Sequence, residues 1–255
     1  MVVAGLCFQL CAPASAADDL NPRTPETFLS DGAYVVTAPF RFKQQSAWLA
    51  LGAVGVTVTS SLLDRTFRDH FIGGINSTAA NNWRKFSDVA QVVGPAIGTG
   101  LYIEGSLNDN DHSKETGYLV YECFAWTVVI EGSVNYVVGR ERPEHTDNPR
   151  LFKPFSWDSS FPSGHTTQAF AAATVFSEQY PHWYVAVPAY SIAAATGYGR
   201  LPSSKHWFSD IVGGSMLGMF IAHTIRTHRR REDLKEQVTW DLSTDGHNIQ
   251  LVRHF

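Results

Sequence analysis

His206 and Asp210 stand four residues apart at the end of the stretch Gly199-Arg200-Leu201-Pro202-Ser203-Ser204-Lys205-His206-Trp207-Phe208-Ser209-Asp210. On one helical face that spacing lets a carboxylate bond one imidazole nitrogen and leave the other free as a nucleophile. Taken alone, the pair is also what an ordinary surface contact looks like. A second stretch, Ser159-Ser160-Phe161-Pro162-Ser163-Gly164-His165-Thr166-Thr167, leads into a run of Ala, Phe and Thr. Pro162 and Ser163 mark a helix start, Gly164 lets backbone amides approach a ligand, and the free N–H groups of a first turn attract an anion. His165 at the same spot is suited to exchange a proton with that anion. The plainer alternative is a Ser-capped helix with an exposed His. A third stretch, Asn135-Tyr136-Val137-Val138-Gly139-Arg140-Glu141-Arg142-Pro143, ends an apolar run in two guanidinium groups. Such groups fork onto phosphate oxygens and keep their charge, although Arg at a helix end also serves as a solvated cap.

The elements between these stretches read as helices over Ser46–Leu63, Val89–Leu107, Gly117–Val138, His165–Glu178, Trp183–Thr196 and Ser209–Thr227, with Ser87-Asp88 and Pro162-Ser163 as start signals. The expected fold class is all-α, a six-helix bundle with a small C-terminal hairpin, since 238–242 and 249–252 alternate around the turn pair Asp245-Gly246. In an up-and-down bundle the third helix ends at the Arg stretch, the fourth begins at His165, the fifth ends at Arg200 and the sixth begins after His206. All three stretches then meet at one pole.

With 255 residues and a formal net charge of -4, the chain suits one globular domain and offers no basic field for nucleic acid. Residues 1–17 are apolar and end in Ala14-Ser15-Ala16, the pattern of a signal peptide, though no Lys or Arg precedes Arg23. The expected layout is a signal peptide over 1–17, an N-terminal extension over 18–45, a catalytic bundle over 46–231 and a tail or hairpin over 232–255. Export leaves Cys123 as the single cysteine, read as a small core residue. Asn108-Asp109-Asn110-Asp111-His112 lacks the Gly and Glu of a calcium loop and reads as a solvated turn. Several helices approach the length of a membrane span, yet Glu104, Glu122 and Glu131 fall inside them and mean hydropathy is slightly negative. A soluble or peripheral periplasmic protein is therefore expected, with an integral inner-membrane protein as the alternative. The basic run Arg226–Arg231 is either a lipid-headgroup contact or a solvated helix end, and Trp48, Trp83, Trp126, Trp183 and Trp207 are either lipid-facing or core.

Arg142-Pro143, the intact Pro162-Ser163-Gly164-His165, and Arg200, His206 and Asp210 occur in the order and spacing of the type-2 phosphatidic acid phosphatases. The chain resembles that family, which includes bacterial acid phosphatases and shares its site with vanadium haloperoxidases. The resemblance implies a six-helix bundle and a phosphatase needing no metal or cofactor. It implies that His206 attacks phosphorus, Asp210 orients it, and His165 protonates the leaving oxygen and then activates water. Arg142, Arg200, Ser163 and the Gly164 amide would hold the phosphate oxygens. Two positions depart from the pattern: Asn135 stands where the family has Lys, and Gly199 where it has Ser. Arg140 is near enough in sequence to offer the missing charge. A haloperoxidase with His206 as vanadate ligand, or an inactive lipid-phosphate binder, uses the same residues. The partner expected is a phosphate ester, lipid or soluble; the oligomeric state is open.

Overall fold

The computed structural model describes residues 24–41, 44–72, 77–157, 159–236, 239–244 and 249–254. The segment read as a signal peptide and the Asp245-Gly246 turn lie outside the described residues. Eight α-helices are described: α1 Pro25–Thr37, α2 Gln44–Ser60, α3 Asp64–Ile72, α4 Thr78–Leu107, α5 Asp111–Val138, α6 Gly164–Gln179, α7 Trp183–Tyr198 and α8 Phe208–Glu236. Strands β1 Thr239–Thr244 and β2 Ile249–His254 pair antiparallel after α8.

All six expected helices form, and the described count is eight rather than six for local reasons. Thr24 and Thr27 cap each other reciprocally ahead of Pro25, which starts α1 within the region read as an extension. A single 3-10 turn, Ser61–Leu63, separates α2 from α3, where one helix was expected to stop. The start assigned to Ser87-Asp88 is corrected as well. α4 begins about three turns earlier, with Ser77 Oγ accepting the Ala80 amide at 3.1 Å, because the polar head Asn81–Lys85 lies on the helix surface and hides the apolar period. Asn110 caps α5 in the same way, accepting from the Ser113 amide.

The core is built around α6, which packs against α5, α7 and α8. Leu119, Val120 and Cys123 of α5 meet Ala171 and Val175 of α6 and Ile221, Ala222 and Ile225 of α8, with Val35 of α1 closing the cluster. Small residues set the spacing: a Cβ at Gly218 of α8 would lie 2.1 Å from the Thr167 carbonyl oxygen of α6. α1 is fastened to the far end of the bundle by Asp31, which His228 of α8 contacts at 2.5 Å, and by Trp126 Nε1 donating to the Phe28 carbonyl. The outer faces are unusually apolar. On α2, Trp48, Leu51, Val54 and Val58 are exposed, and Trp183, Tyr184 and Val187 are exposed on α7. Among the described residues, Ala47–Phe71 and Phe208–Leu234 are long and apolar enough to cross a membrane.

A methyl at position 218 has to part α6 from α8, so Gly218→Ala is expected to cost about 1–3 kcal/mol, read as a lowered unfolding midpoint. Gly132→Ala on α5 meets nothing within 4 Å and is expected to leave the midpoint at or above that of the parent.

Candidate active site

α5 stops at Gly139, which takes the left-handed conformation (φ 58°) as the helix C-cap. Only glycine fits there, because a Cβ would strike the Lys153 carbonyl, whose own amide donates to Gly139 O at 2.6 Å. The chain after it folds back on itself: Glu141 N donates to Leu151 O, and Ser160 N to Arg140 O. This brings the Arg stretch beside Ser159-Ser160, while Ser163 N donates to Asp210 O and so fixes the start of α6 to the start of α8. The three stretches do meet at one pole.

Within that pole the two arginines of the first stretch have different surroundings. Arg142 bridges the other two stretches, Nη1 donating to Lys205 O at 3.1 Å and Nη2 to Ser159 O at 3.0 Å. Arg140 is buried and turned the other way. Nε and Nη2 donate to Pro149 O, Nη2 also to Asp64 Oδ2 at 2.6 Å, and Nη1 to Ser209 Oγ and Asp210 Oδ1. All five N–H groups are used, so the expectation that Arg140 substitutes for a missing phosphate-binding charge is corrected: it has no donor left to give. Asn135, at the position where the resemblance calls for Lys, has its amide nitrogen bonded to the Pro162 carbonyl and to Glu131. The Glu131 carboxyl lies over Gly164, about 3.1 Å from where a Cβ would stand.

His206 differs from its expected geometry in one respect. Its Nδ1 lies 2.7 Å from the Ser160 carbonyl oxygen, whereas Asp210 Oδ2 is 4.0 Å away, too far for a hydrogen bond. Asp210 is occupied by the Trp207 amide at 2.7 Å and by Arg140. The direct orienting partner is therefore a backbone carbonyl, and Asp210 acts one step removed. A carbonyl accepts only, so Nδ1 carries the hydrogen and Nε2 keeps its lone pair. Burial, with Arg200 and Arg142 nearby, pushes the His206 pKa well below its usual value, so the ring is neutral.

His165, the second residue of α6 at this same pole, faces Asp88 of α4, with Nε2 3.3 Å from Oδ1. The same oxygen accepts from Arg200 Nη1 at 2.9 Å. Asp88 is a site residue that sequence reading missed; it carries no local motif and was read as a helix-start signal. Ser163 is fully buried and its hydroxyl pairs with Thr166 Oγ1 at 2.9 Å rather than capping an amide. The Gly164 amide, in the first turn of α6, has no acceptor within the helix. Trp207, 1% exposed, donates Nε1 to Glu141 O and locks the loop from below. Among the described residues no group of three or more His, Cys, Asp or Glu side chains is arranged to hold a metal ion. The arrangement is a cage of guanidinium and amide donors between two imidazoles, which suits a tetrahedral oxyanion.

Residues 117–233, containing all three stretches, match the PAP2 superfamily model. The chain is 31% identical to a lipid A 1-phosphatase of Porphyromonas gingivalis over 171 residues, 64% of this chain and 35% of the relative. It is 27% identical to an undecaprenyl-diphosphatase of Sulfolobus acidocaldarius over 111 residues, 43% of this chain and 53% of the relative. A solved transmembrane PAP2-type phosphatidylglycerolphosphate phosphatase from Bacillus subtilis aligns over 82% of this chain and 89% of its own, at 18% identity and a TM-score of 0.40. The chain spans about a third to a half of the length of the curated relatives it matches. The family match runs across every stretch that builds the cage, so residues 117–233 belong to the PAP2 superfamily.

Proposed function

We propose that this protein is a membrane-embedded phosphatase that hydrolyses the phosphomonoester of a lipid through a phosphohistidine at His206. The observation that carries this is the 2.7 Å contact of His206 Nδ1 with the Ser160 carbonyl, which leaves Nε2 unprotonated beside Arg142 and Arg200. In the first step Nε2 gives its lone pair to phosphorus, the bond from phosphorus to the leaving oxygen breaks, and His165 supplies that oxygen with a proton. In the second, His165 takes a proton from water, the water oxygen attacks phosphorus, and the P–N bond breaks to restore His206. Arg142, Arg200 and the Gly164 amide stabilise the charge on the equatorial oxygens, with Ser163 at the edge of the cage. These donors supply the positive charge the transfer calls for without a cofactor.

Two observations support a lipid. A groove of about 390 Å³ between α4, α6 and α7 is lined by apolar side chains such as Ile97, Leu101, Phe176 and Val185. At its head Gln91 bonds Gln168, each one helical turn beyond Asp88 and His165, so an apolar chain in the groove begins next to the cage. The similarity to a lipid A 1-phosphatase and an undecaprenyl-diphosphatase is consistent with a phosphate carried on a hydrocarbon.

Membrane embedding is favoured over the soluble or peripheral alternative by the apolar outer faces. α2 exposes Trp48 at 66% and Val54 at 61%, more apolar surface than a water-facing helix ordinarily carries. Exposed aromatic residues flank the bundle at both ends, Trp48 and Trp183 at one and Trp83 and Phe86 at the other, as in interfacial belts. α2, α4, α5, α6, α7 and α8 run alternately between the poles, so six crossings of the 46–231 bundle leave the cage on one side of the bilayer and both bundle ends on the other.

In detergent or lipid bilayers, His206→Ala is expected to lose phosphate release from lipid phosphates by at least about a thousandfold. Undiminished turnover in the variant would sink the nucleophile assignment, and preference for short soluble phosphomonoesters over lipid ones would sink the lipid assignment.

A further inference from the structure

Asp64 begins α3, outside the segment that matches the family model, and it is fully buried. Its Oδ1 accepts the Ser209 amide at 2.8 Å, and its Oδ2 accepts the Ser209 hydroxyl at 2.8 Å and Arg140 Nη2 at 2.6 Å. Arg140 passes from there to Asp210, itself fully buried, with Asp210 Oδ2 4.0 Å from His206 Nδ1. Two buried carboxylates thus share one guanidinium. Counting formal charges, Asp64 and Asp210 contribute two negatives and Arg140 one positive, which leaves the cluster at net -1 directly behind the His206 ring.

We propose that Asp64 is a positioning residue for catalysis, supplying the uncompensated negative charge that stabilises His206 as it becomes positively charged. The proposal rests on His206 being the nucleophile. When Nε2 bonds to phosphorus the ring becomes a phosphoimidazolium and its positive charge is shared with Nδ1–H. Arg140 paired with Asp210 alone would present no net charge there. The third member makes the cluster negative, in surroundings where water cannot screen it. Asp64 also accepts the amide at the start of α8, so it fixes the helix from which Asp210 projects. A carboxylate buried at the end of an otherwise apolar span is costly to keep, which is why a role in the chemistry is expected of it.

The test compares Asp64→Asn, which retains an acceptor for the Ser209 amide but removes the charge, with the parent enzyme on one lipid phosphate. The kcat is expected to fall about ten- to a hundredfold with KM within about twofold. The acidic limb of the kcat/KM profile, which reports ionisation of His206, is expected to move to lower pH because the imidazolium has lost its counter-charge. A residue that merely fastened α3 would lower the unfolding midpoint and leave kcat per folded molecule and the pH limb unchanged; that result would overturn the proposal. If Asp64→Asn does not fold, the double variant Asp64→Asn/Arg140→Gln removes the ion pair together and returns the cluster to net -1. Its acidic limb is expected where the parent's lies, and a displaced limb would refute the charge account. His206→Ala is run alongside. Turnover in that variant removes the nucleophile assignment itself, whereas a dead His206→Ala beside a parent-like Asp64→Asn removes only the role of Asp64.

Discussion

A guanidinium taken out of water is tolerable only where every donor is met and its charge is opposed. Arg140 meets both conditions, with five N–H groups on protein acceptors and carboxylates on either side. Asp64 comes from α3, Pro149 from the loop after α5, and Ser209 and Asp210 from α8. Closing this one ion cluster therefore fixes where three separate parts of the chain meet. The start of α8 is set by it, and through the Ser163 amide on Asp210 O so is the start of α6. The cage is assembled on top of that junction.

The division of labour among the basic residues follows from it. Arg140 lies beneath the junction and serves the fold, while Arg142 and Arg200 lie at the cage, where burial and their two charges lower the proton affinity of His206. The Ser160 carbonyl holds Nδ1–H of the neutral His206 ring, which leaves the Nε2 lone pair available.

What could be read from the amino-acid sequence divides along the same physical line. His165 falls in the first turn of α6 and Arg142, Arg200 and His206 in the connections at helix ends, where residue type and spacing mark them, and the alternation of six helices brings them to one pole. Arg140 and Arg142 are the same residue type two positions apart, and nothing local separates them. The fold-back of Leu151–Lys153 and Ser159-Ser160 against Gly139–Glu141 decides which is buried. Asp64 and Asp88 act across long sequence distances and carry no motif, so only packing reveals them. Asp210 has the spacing for a direct bond to His206, but the Trp207 amide and Arg140 compete for its oxygens and win. The helix α1 was legible in principle, since Thr24, Pro25 and Thr27 form a capping box. The apolar outer faces were harder to foresee, because acidic residues such as Glu122 turn inward and leave the exterior apolar.

Covalent capture on His206 is the most direct test of this account. Rapid quenching of the enzyme with a lipid substrate labelled in its phosphate should trap a label on protein that is stable in alkali, lost in acid, and mapped by mass spectrometry to His206. His165→Ala, which lacks the group proposed to activate water, should accumulate the label if formation is slowed less than hydrolysis. A label on another residue, or one that persists when His206 is replaced by Ala, would contradict the assignment.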